Sequence, residues 1–513
     1  MLRSVLIAAC AAPFASLFFI ACGDTACHDV LCRAPDDAAP SEGAADGGGD
    51  VVQPPAGCDP LADVKDAPKC VVSEFGVFVN GAAGSDANPG TKEAPVKTIG
   101  AALGKAGSKP RVYVCSGTYA EHVKLTAAVS LHGGFACDGW AYDASKPIIA
   151  PLDAGYALHV DGVSSPVVVS DLQLLARDGT AAVPSSVALF ASRSAKLTLR
   201  RASAAAGSGL PGTDAVDAPD FAPPSAPDGT SGAAGGAQTP NPACPTSVGG
   251  AGGKDGVTKG GAGQVAVVPV YPAGNTGTGG IEGATCGGGG TASDGSYGIA
   301  GTPGTGAPAS GTLGASGWKG GGGTPGGAGG NGQGGGGGAQ RNATGVGGSG
   351  APGGCGGAGG AKGTAGGSSI AVLSFESAVF LEQSALLAKD AGRGGNAAKG
   401  QKAQLGNLAP ANPNGANACS GGFGGIGGSG GGGGGGAGGF SAGILYKGTA
   451  PTVDGASTAN ADALASITVG AKGAAGGKGL GGDAAQTTAP ASRAGQDGAA
   501  GMEGAAKAIV AAP

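Results

Sequence analysis

Residues 345–367 read GVGGSGAPGGCGGAGGAKGTAGG, with glycine at 345, 348, 354, 357, 360, 363 and 366 and a second register at 347, 350, 353, 356 and 359. Neither an α-helix nor a β-strand repeats every three residues; a polyproline-II-type helix does. With glycine along a face, such helices pack backbone against backbone, which no side chain permits. The same step returns as GGFGGIGGSGGG over 421–432 and as Gly470, Gly473, Gly476, Gly479 and Gly482. The tracts read as extended structural material and not as a reaction centre. Two states stay open for them, ordered packing and flexible coil. Ordering each residue costs on the order of 1–2 kcal/mol of backbone entropy, and no large side chains repay it. Cys244, Cys286, Cys355 and Cys419 lie in the tracts, and two disulfides would reduce that cost. A collagen triple helix is disfavoured because the triplets slip register and hold little proline.

Composition points the same way. Of 513 residues, 114 are glycine, 13% are charged and 4% aromatic, too few large side chains for one big globular core. A net charge of −5 argues against a nucleic-acid or anionic-membrane surface.

Ahead of the first of the long tracts lie short apolar segments: 112–114, 129–131, 148–149, 158–160, 167–169 with 172–174, 187–189 and 197–199. Coils of this spacing arise when each turn gives one strand to each of two or three parallel sheets. An internal repeat supports this, since SSVAL at 185–189 with Leu197-Thr198-Leu199 corresponds to SSIAV at 368–372 with Phe380-Leu381. A weaker copy is SAGIL at 441–445 with Ile467-Thr468-Val469. The expectation is an all-β parallel β-helix whose glycine-rich loops, 207–367, 392–440 and 470–505, leave one corner.

One segment carries a resemblance. GSDANPGT at 84–91, APVKTI at 94–99 and Gly117-Thr118-Tyr119 with Glu121 follow one another in order. Over about 76–136 this resembles the N-terminal part of right-handed parallel β-helices of the pectate-lyase-like superfamily, in particular a widespread domain family of unknown function. The resemblance implies a right-handed solenoid. Ile99, Ala102, Leu103 and Ala106 fall at helical spacing within 97–107, so one short amphipathic helix is expected to cap the open end. Cys115 and Cys137 lie about one coil apart, and stacked strands about 4.8 Å apart allow a bridge. Cys58 and Cys70 are expected to close a small loop.

At the N-terminus an apolar run ends in Phe19-Ile20-Ala21-Cys22, which resembles a bacterial lipoprotein signal with Cys22 as the lipidated residue. A simple secretory signal is the alternative, and Pro13 argues against a spanning anchor. The ten cysteines beyond Cys10 and Cys22 are an even number, as disulfides in an exported chain require. The pairing of Cys27, Cys32, Cys244, Cys286, Cys355 and Cys419 is left open. Cys27-His28 with Cys32 lacks a second metal-binding pair. The expected organisation is a signal at 1–21, an acidic Ala/Pro/Gly linker at 22–57 and a β-helix region at 58–206. A glycine-rich insertion at 207–367, a coil at 368–391, an insertion at 392–440, coils at 441–469 and a glycine-rich segment at 470–513 follow.

No motif brings chemistry with it. The G-x-S-x-G at 427–431 and the G-x-G-x-x-G matches arise by chance in glycine tracts and lack a strand–turn–helix context. No metal site or cofactor is expected. The resemblance implies polysaccharide lyase or hydrolase chemistry as an option, with Asp171, Arg177, Arg200 and Arg201 the weak catalytic candidates beside Asp161, Asp178, Arg193 and Lys196. Solvated coil corners explain these residues as well. Trp140, Tyr142 and Trp318 are the aromatics able to stack on sugars. The chain also resembles glycine-rich PGRS-type surface proteins of Gram-negative bacteria, a myxobacterial source being one option. The expected function is a non-enzymatic, lipid-anchored surface or envelope protein of the outer membrane, structural or adhesive, with the membrane as partner through the anchor. A carbohydrate-binding or polysaccharide-degrading β-helix is the alternative.

Overall fold

Strands form where aliphatic residues alternate with small or polar ones, as a half-buried pleat requires. The computed structural model describes residues 52–60, 62–231, 236–253, 277–281, 286, 291–340, 345–407, 418–485 and 493–513. Cys22, Cys27 and Cys32 lie outside the described residues.

The chain is mostly β and its three large sheets are parallel. Sheet I runs Gly76–Val79, Arg111–Cys115, Ser130–Phe135, Val167–Ser170, Leu197–Arg200, Val379–Glu382 and Thr452–Val453, with Ala456–Ser457 antiparallel at its edge. Sheet II runs Thr118–Tyr119, Ile148–Ile149, Gln173–Leu175, Ser203–Ala205, Ala385–Leu387 and Ile467–Thr468. Sheet III runs Val123–Leu125, Leu158–Asp161, Ser186–Ser192, Ser369–Phe375, Ser441–Lys447 and Ala506–Ala511. From Arg111 onward the chain visits I, II and III in fixed rotation, each strand pairing with the one a circuit earlier.

Register turns this rotation into three aliphatic stacks. Val77, Val112, Leu131, Val169, Leu199, Leu381 and Val453 stand in line across sheet I. Tyr119, Ile149, Leu174, Ala204, Leu386 and Ile467 do so across sheet II. Val123, Leu158, Leu189, Val372, Ile444 and Ile509 complete sheet III. All belong to one buried cluster, so a circuit adds its share of core only by stacking on the last.

The 84–121 motifs explain themselves locally. The helix spans Ile99–Lys105, shorter than 97–107, with the Thr98 hydroxyl accepting from Ala101 N–H at 3.2 Å. The Asp86 carboxylate accepts from Lys97 and Thr98 N–H, both at 2.9 Å. Glu121 accepts from Ile99 N–H at 2.8 Å and Gly100 N–H at 2.9 Å. The two acids satisfy backbone donors at the helix start. Ile99 and Ala102 are buried in the core, against Gly76–Val79, Arg111–Cys115 and Val123–Leu125.

The long segments 206–368, 388–440 and 469–505 each leave sheet II and return to sheet III. Within them the glycine tracts form a lattice around 421–439. N–H groups of this tract donate in rotation to three neighbours. Gly425, Gly428, Gly431 and Gly434 reach Gln333, Gly330, Gly327 and Thr324. Gly427, Gly430, Gly433 and Gly436 reach Gln404, Gln401, Ala398 and Gly395. Ser429, Gly432, Gly435 and Gly438 reach Arg493, Gln496, Ala499 and Met502. Its carbonyls accept from three further tracts, 295–307, 351–366 and 473–482, again at every third residue. One extended chain is thus ringed by six others, and its backbone polar groups are met without side chains.

The choice of residue follows from these neighbours. An added Cβ at Gly424, Gly427, Gly430 or Gly433 would lie 1.9–2.2 Å from a carbonyl oxygen of the 351–366 tract. At Gly425, Gly428 and Gly431 it would meet Ser296, Ile299 and Thr302 oxygens at 1.6–2.0 Å. The third register holds Phe423, Ile426 and Ser429, then becomes glycine at 432, 435 and 438. There the 473–482 tract arrives, and a Cβ would lie 2.0–2.2 Å from the oxygens of Gly479, Gly476 and Gly473. GGx becomes GGG where the sixth neighbour closes in.

Two features depart from the sequence reading. The 470–513 segment is not glycine-rich to its end: Ala506–Ala511 pairs with Ser441–Lys447, burying Ala508 and Ile509. The 207–367 insertion also contains two antiparallel hairpins, Pro240–Asn241 with Cys244–Val248 and Gly311–Gly314 with Gly317–Gly320. Both are short, and Pro240, Pro242 and Pro245 in the first and Gly311, Gly314, Gly317 and Gly320 in the second hide the strand alternation.

Candidate functional site

Outward-facing residues of sheet I form a second line across the strands: Phe78, Tyr113, His132, Ser170, Arg200 and Glu382. It passes from aromatic to charged. At the next position the chain turns a corner in the left-handed region, with φ of 56° at Asp171 and 47° at Arg201. Stacked corners therefore place Asp171 beside Arg201.

The loop closed by the Cys58–Cys70 disulfide lies over this line. Asp63 from that loop takes two hydrogen bonds from Arg201, Nη1 at 2.5 Å and Nη2 at 2.9 Å. Arg201 also donates through Nε to Asp171 at 2.8 Å and through Nη2 at 2.7 Å. Tyr142 adds its hydroxyl to Asp171 at 3.1 Å. Arg200 Nε donates to Glu382 at 2.6 Å. The Asp171 side chain is 2% exposed, so Arg201 neutralises a buried carboxylate. Burial alone would raise the Asp63 pKa, but the Arg201 hydrogen bonds and charge hold it below the usual carboxylate range.

Of the four weak candidates, Asp171, Arg200 and Arg201 come together and Arg177 does not. Arg177 donates from Nε to the Pro151 carbonyl at 3.1 Å, away from this cluster. Asp161 pairs with Arg193 and Lys124 on sheet III, and its pKa is lowered to about 2, chiefly by the Ser192 hydroxyl. Lys196 lies over the Phe380 ring. Asp63 and Arg111 escape sequence reasoning, because no local pattern tells which loop folds onto a sheet face. Trp140 is buried edge-on against Phe78, which takes its ring away from any sugar, whereas Tyr142 is half-buried and packs edge-on against Phe135.

His132 is buried, with Nδ1 2.8 Å from the Ser170 hydroxyl. Burial, reinforced by Arg111, lowers its pKa to about 3. An unfolded histidine titrates near 6.5, so this contribution is intact above that pH and is lost progressively as pH falls towards 3. Between pH 7 and 4.5 it amounts to about 2–3 kcal/mol. Chemical denaturation at the two pH values should show that loss, and His132→Phe should lose less. His159, also lowered by burial, adds a smaller share in the same window.

A cavity of about 710 Å³ lies where the 311–320 hairpin meets sheet III and the tracts. Tyr156, Trp318, Lys319, Thr213 and Thr364 are among its walls. Trp318 Nε1 is buried there without a hydrogen-bond partner.

Among the described residues the other disulfides are Cys115–Cys137, Cys244–Cys355 and Cys286–Cys419. Cys115–Cys137 joins adjacent circuits across a Cα separation of 4.9 Å. The last two tie the glycine tracts together. Four disulfides fit an oxidising, extracytoplasmic compartment. Among the described residues no helix is long and apolar enough to cross a membrane.

Comparison with known proteins adds one similarity. The family described as a protein of unknown function (DUF1565), typically of parallel β-helix type, matches residues 82–140. The match covers the GSDANPGT segment, the helix, the first circuit from Arg111 to Leu125 and the first strand of the second, Ser130–Phe135. No curated protein and no solved structure matches the chain.

Proposed function

We propose that this chain is an exported, non-enzymatic surface or envelope protein with a structural or adhesive role. On this reading the three sheets are the wall of a right-handed parallel β-helix and the Ile99–Lys105 helix is its cap. Cys22 is the lipid-bearing residue, and the acidic Ala/Pro/Gly stretch 22–57 links it to the rest of the chain. The observation that supports it best is the six-neighbour lattice around 421–439. That lattice satisfies backbone with backbone and presents few side chains to any substrate. The charged cluster on sheet I supports the same conclusion, because Arg200 and Arg201 are engaged by Asp63, Asp171 and Glu382.

A second reading, carbohydrate binding, has its own support in the Tyr156–Trp318 cavity, where aromatic faces stand beside hydroxyls and an amine. Mature protein carrying Cys22→Ser, incubated with acidic and neutral polysaccharides, separates the two. Carbohydrate binding predicts retention of at least one polysaccharide without shortening, weakened about tenfold or more by Trp318→Ala. No retention leaves the structural role alone. Chain shortening lost in Arg200→Ala or Arg201→Ala would overturn both and make the protein an enzyme.

A further inference from the structure

Under the Cys58–Cys70 loop lies a cavity of about 270 Å³ on the outer face of sheet I. Two of its wall residues carry buried nitrogen atoms without a partner. Arg111 is 5% exposed; its Nη2 donates to the Pro60 carbonyl at 2.7 Å and its guanidinium lies over Phe75. Its Nη1 has no hydrogen-bond partner, and no carboxylate of the described residues pairs with it. His132, also 5% exposed, has Nδ1 engaged by Ser170 and Nε2 unpartnered. The two residues stand on neighbouring strands, diagonal in register, since Arg111 opposes Ser130 and His132 opposes Tyr113.

A buried guanidinium normally meets a counter-ion. Arg200 and Arg201 have theirs in Asp63, Asp171 and Glu382; Arg111 does not. In the tautomer where the Ser170 hydroxyl donates to Nδ1, His132 presents N–H at Nε2, and both free groups are then donors. The remaining wall includes Phe75, Pro110, Pro166 and Val168, which suits a small organic body. Asp63 also borders the cavity and disfavours a multiply charged guest.

We propose that this cavity binds a small singly charged carboxylate, its oxygens accepting from Arg111 Nη1 and His132 Nε2–H. The proposal does not rest on the structural or carbohydrate readings, although the cavity shares Asp63 and Arg200 with the charged cluster on sheet I.

Calorimetric titration of mature protein carrying Cys22→Ser with acetate, lactate and glucuronate at pH 7 tests it, with chloride, phosphate and glucose as comparators. Saturable binding is expected for a carboxylate and not for glucose or chloride, weakened about tenfold or more in Arg111→Lys and in His132→Phe. Acetate and lactate binding without glucuronate would identify a free small acid; glucuronate alone would identify an acidic sugar. A variant-free readout accompanies this: with the four histidines ¹⁵N-labelled, saturation should move the His132 Nε2 resonance selectively. No saturable response to any carboxylate at about 10 mM, a hundredfold above a 0.1 mM Kd, would overturn the proposal. So would binding that leaves His132 unmoved or is matched by phosphate.

Discussion

Gly428→Ala is expected to cost about 3–5 kcal/mol, the upper range for a single substitution, although it adds one methyl group. The reason is position. An ideal Cβ at 428 would lie 1.6 Å from the Ile299 carbonyl oxygen and 2.2 Å from its carbon. Relief requires the 295–307 tract to move away, and that tract donates to Phe423, Ile426, Ser429, Gly432 and Gly435 at every third residue. One displaced bond therefore disturbs a row. Among the described residues no glycine of the 421–439 tract or of its six neighbours has φ in the left-handed region, so the requirement there is for absent volume and not for conformational freedom. The same substitution elsewhere supplies the control. At Gly104, within the helix, an added Cβ meets nothing within 4 Å. Gly104→Ala should stabilise by about 0.5–1 kcal/mol. Urea denaturation and amide exchange of 421–440 decide the matter. Gly428→Ala as stable as wild type, with those amides still protected, would mean that the lattice does not hold these segments.

This contrast shows which part of the structure sequence makes visible. Period three announces extended tracts, and alternation at 158–160 or 197–199 announces strands, because each signal repeats within a few residues of itself. The aliphatic stacks follow from the repeat between 185–199 and 368–381. The meaning of GGF, GGI and GGS giving way to GGG at 432 is not legible locally, since it depends on where a tract some fifty residues later ends. The same holds for the cysteine partners at separations of 111 and 133 residues. It holds for Asp63, which reaches Arg201 from 138 residues away. Arg201 and Asp171 are visible as charges in sequence, but only the stacked corners reveal that they face each other.

That pairing yields the second large effect. Arg201→Met should destabilise by about 3–5 kcal/mol, because it removes the cation from a buried carboxylate and leaves that charge uncompensated. Asp171 is nearly inaccessible, and Tyr142 supplies it with one hydrogen bond only. Asp63 loses both of its Arg201 bonds at once, which should also loosen the 58–70 loop from the sheet. Combining Arg201→Met with Asp171→Asn should recover more than half of the loss, since asparagine keeps the corner conformation and removes the stranded charge. A residue serving acid–base chemistry behaves differently, losing activity while stability changes little. Equilibrium unfolding of the two single variants and the double variant gives the coupling directly. A coupling near zero, with Arg201→Met as stable as wild type, would free Arg201 from its structural duty and return it to the catalytic candidates. A large coupling makes the cluster the clasp that holds the disulfide-closed loop on sheet I.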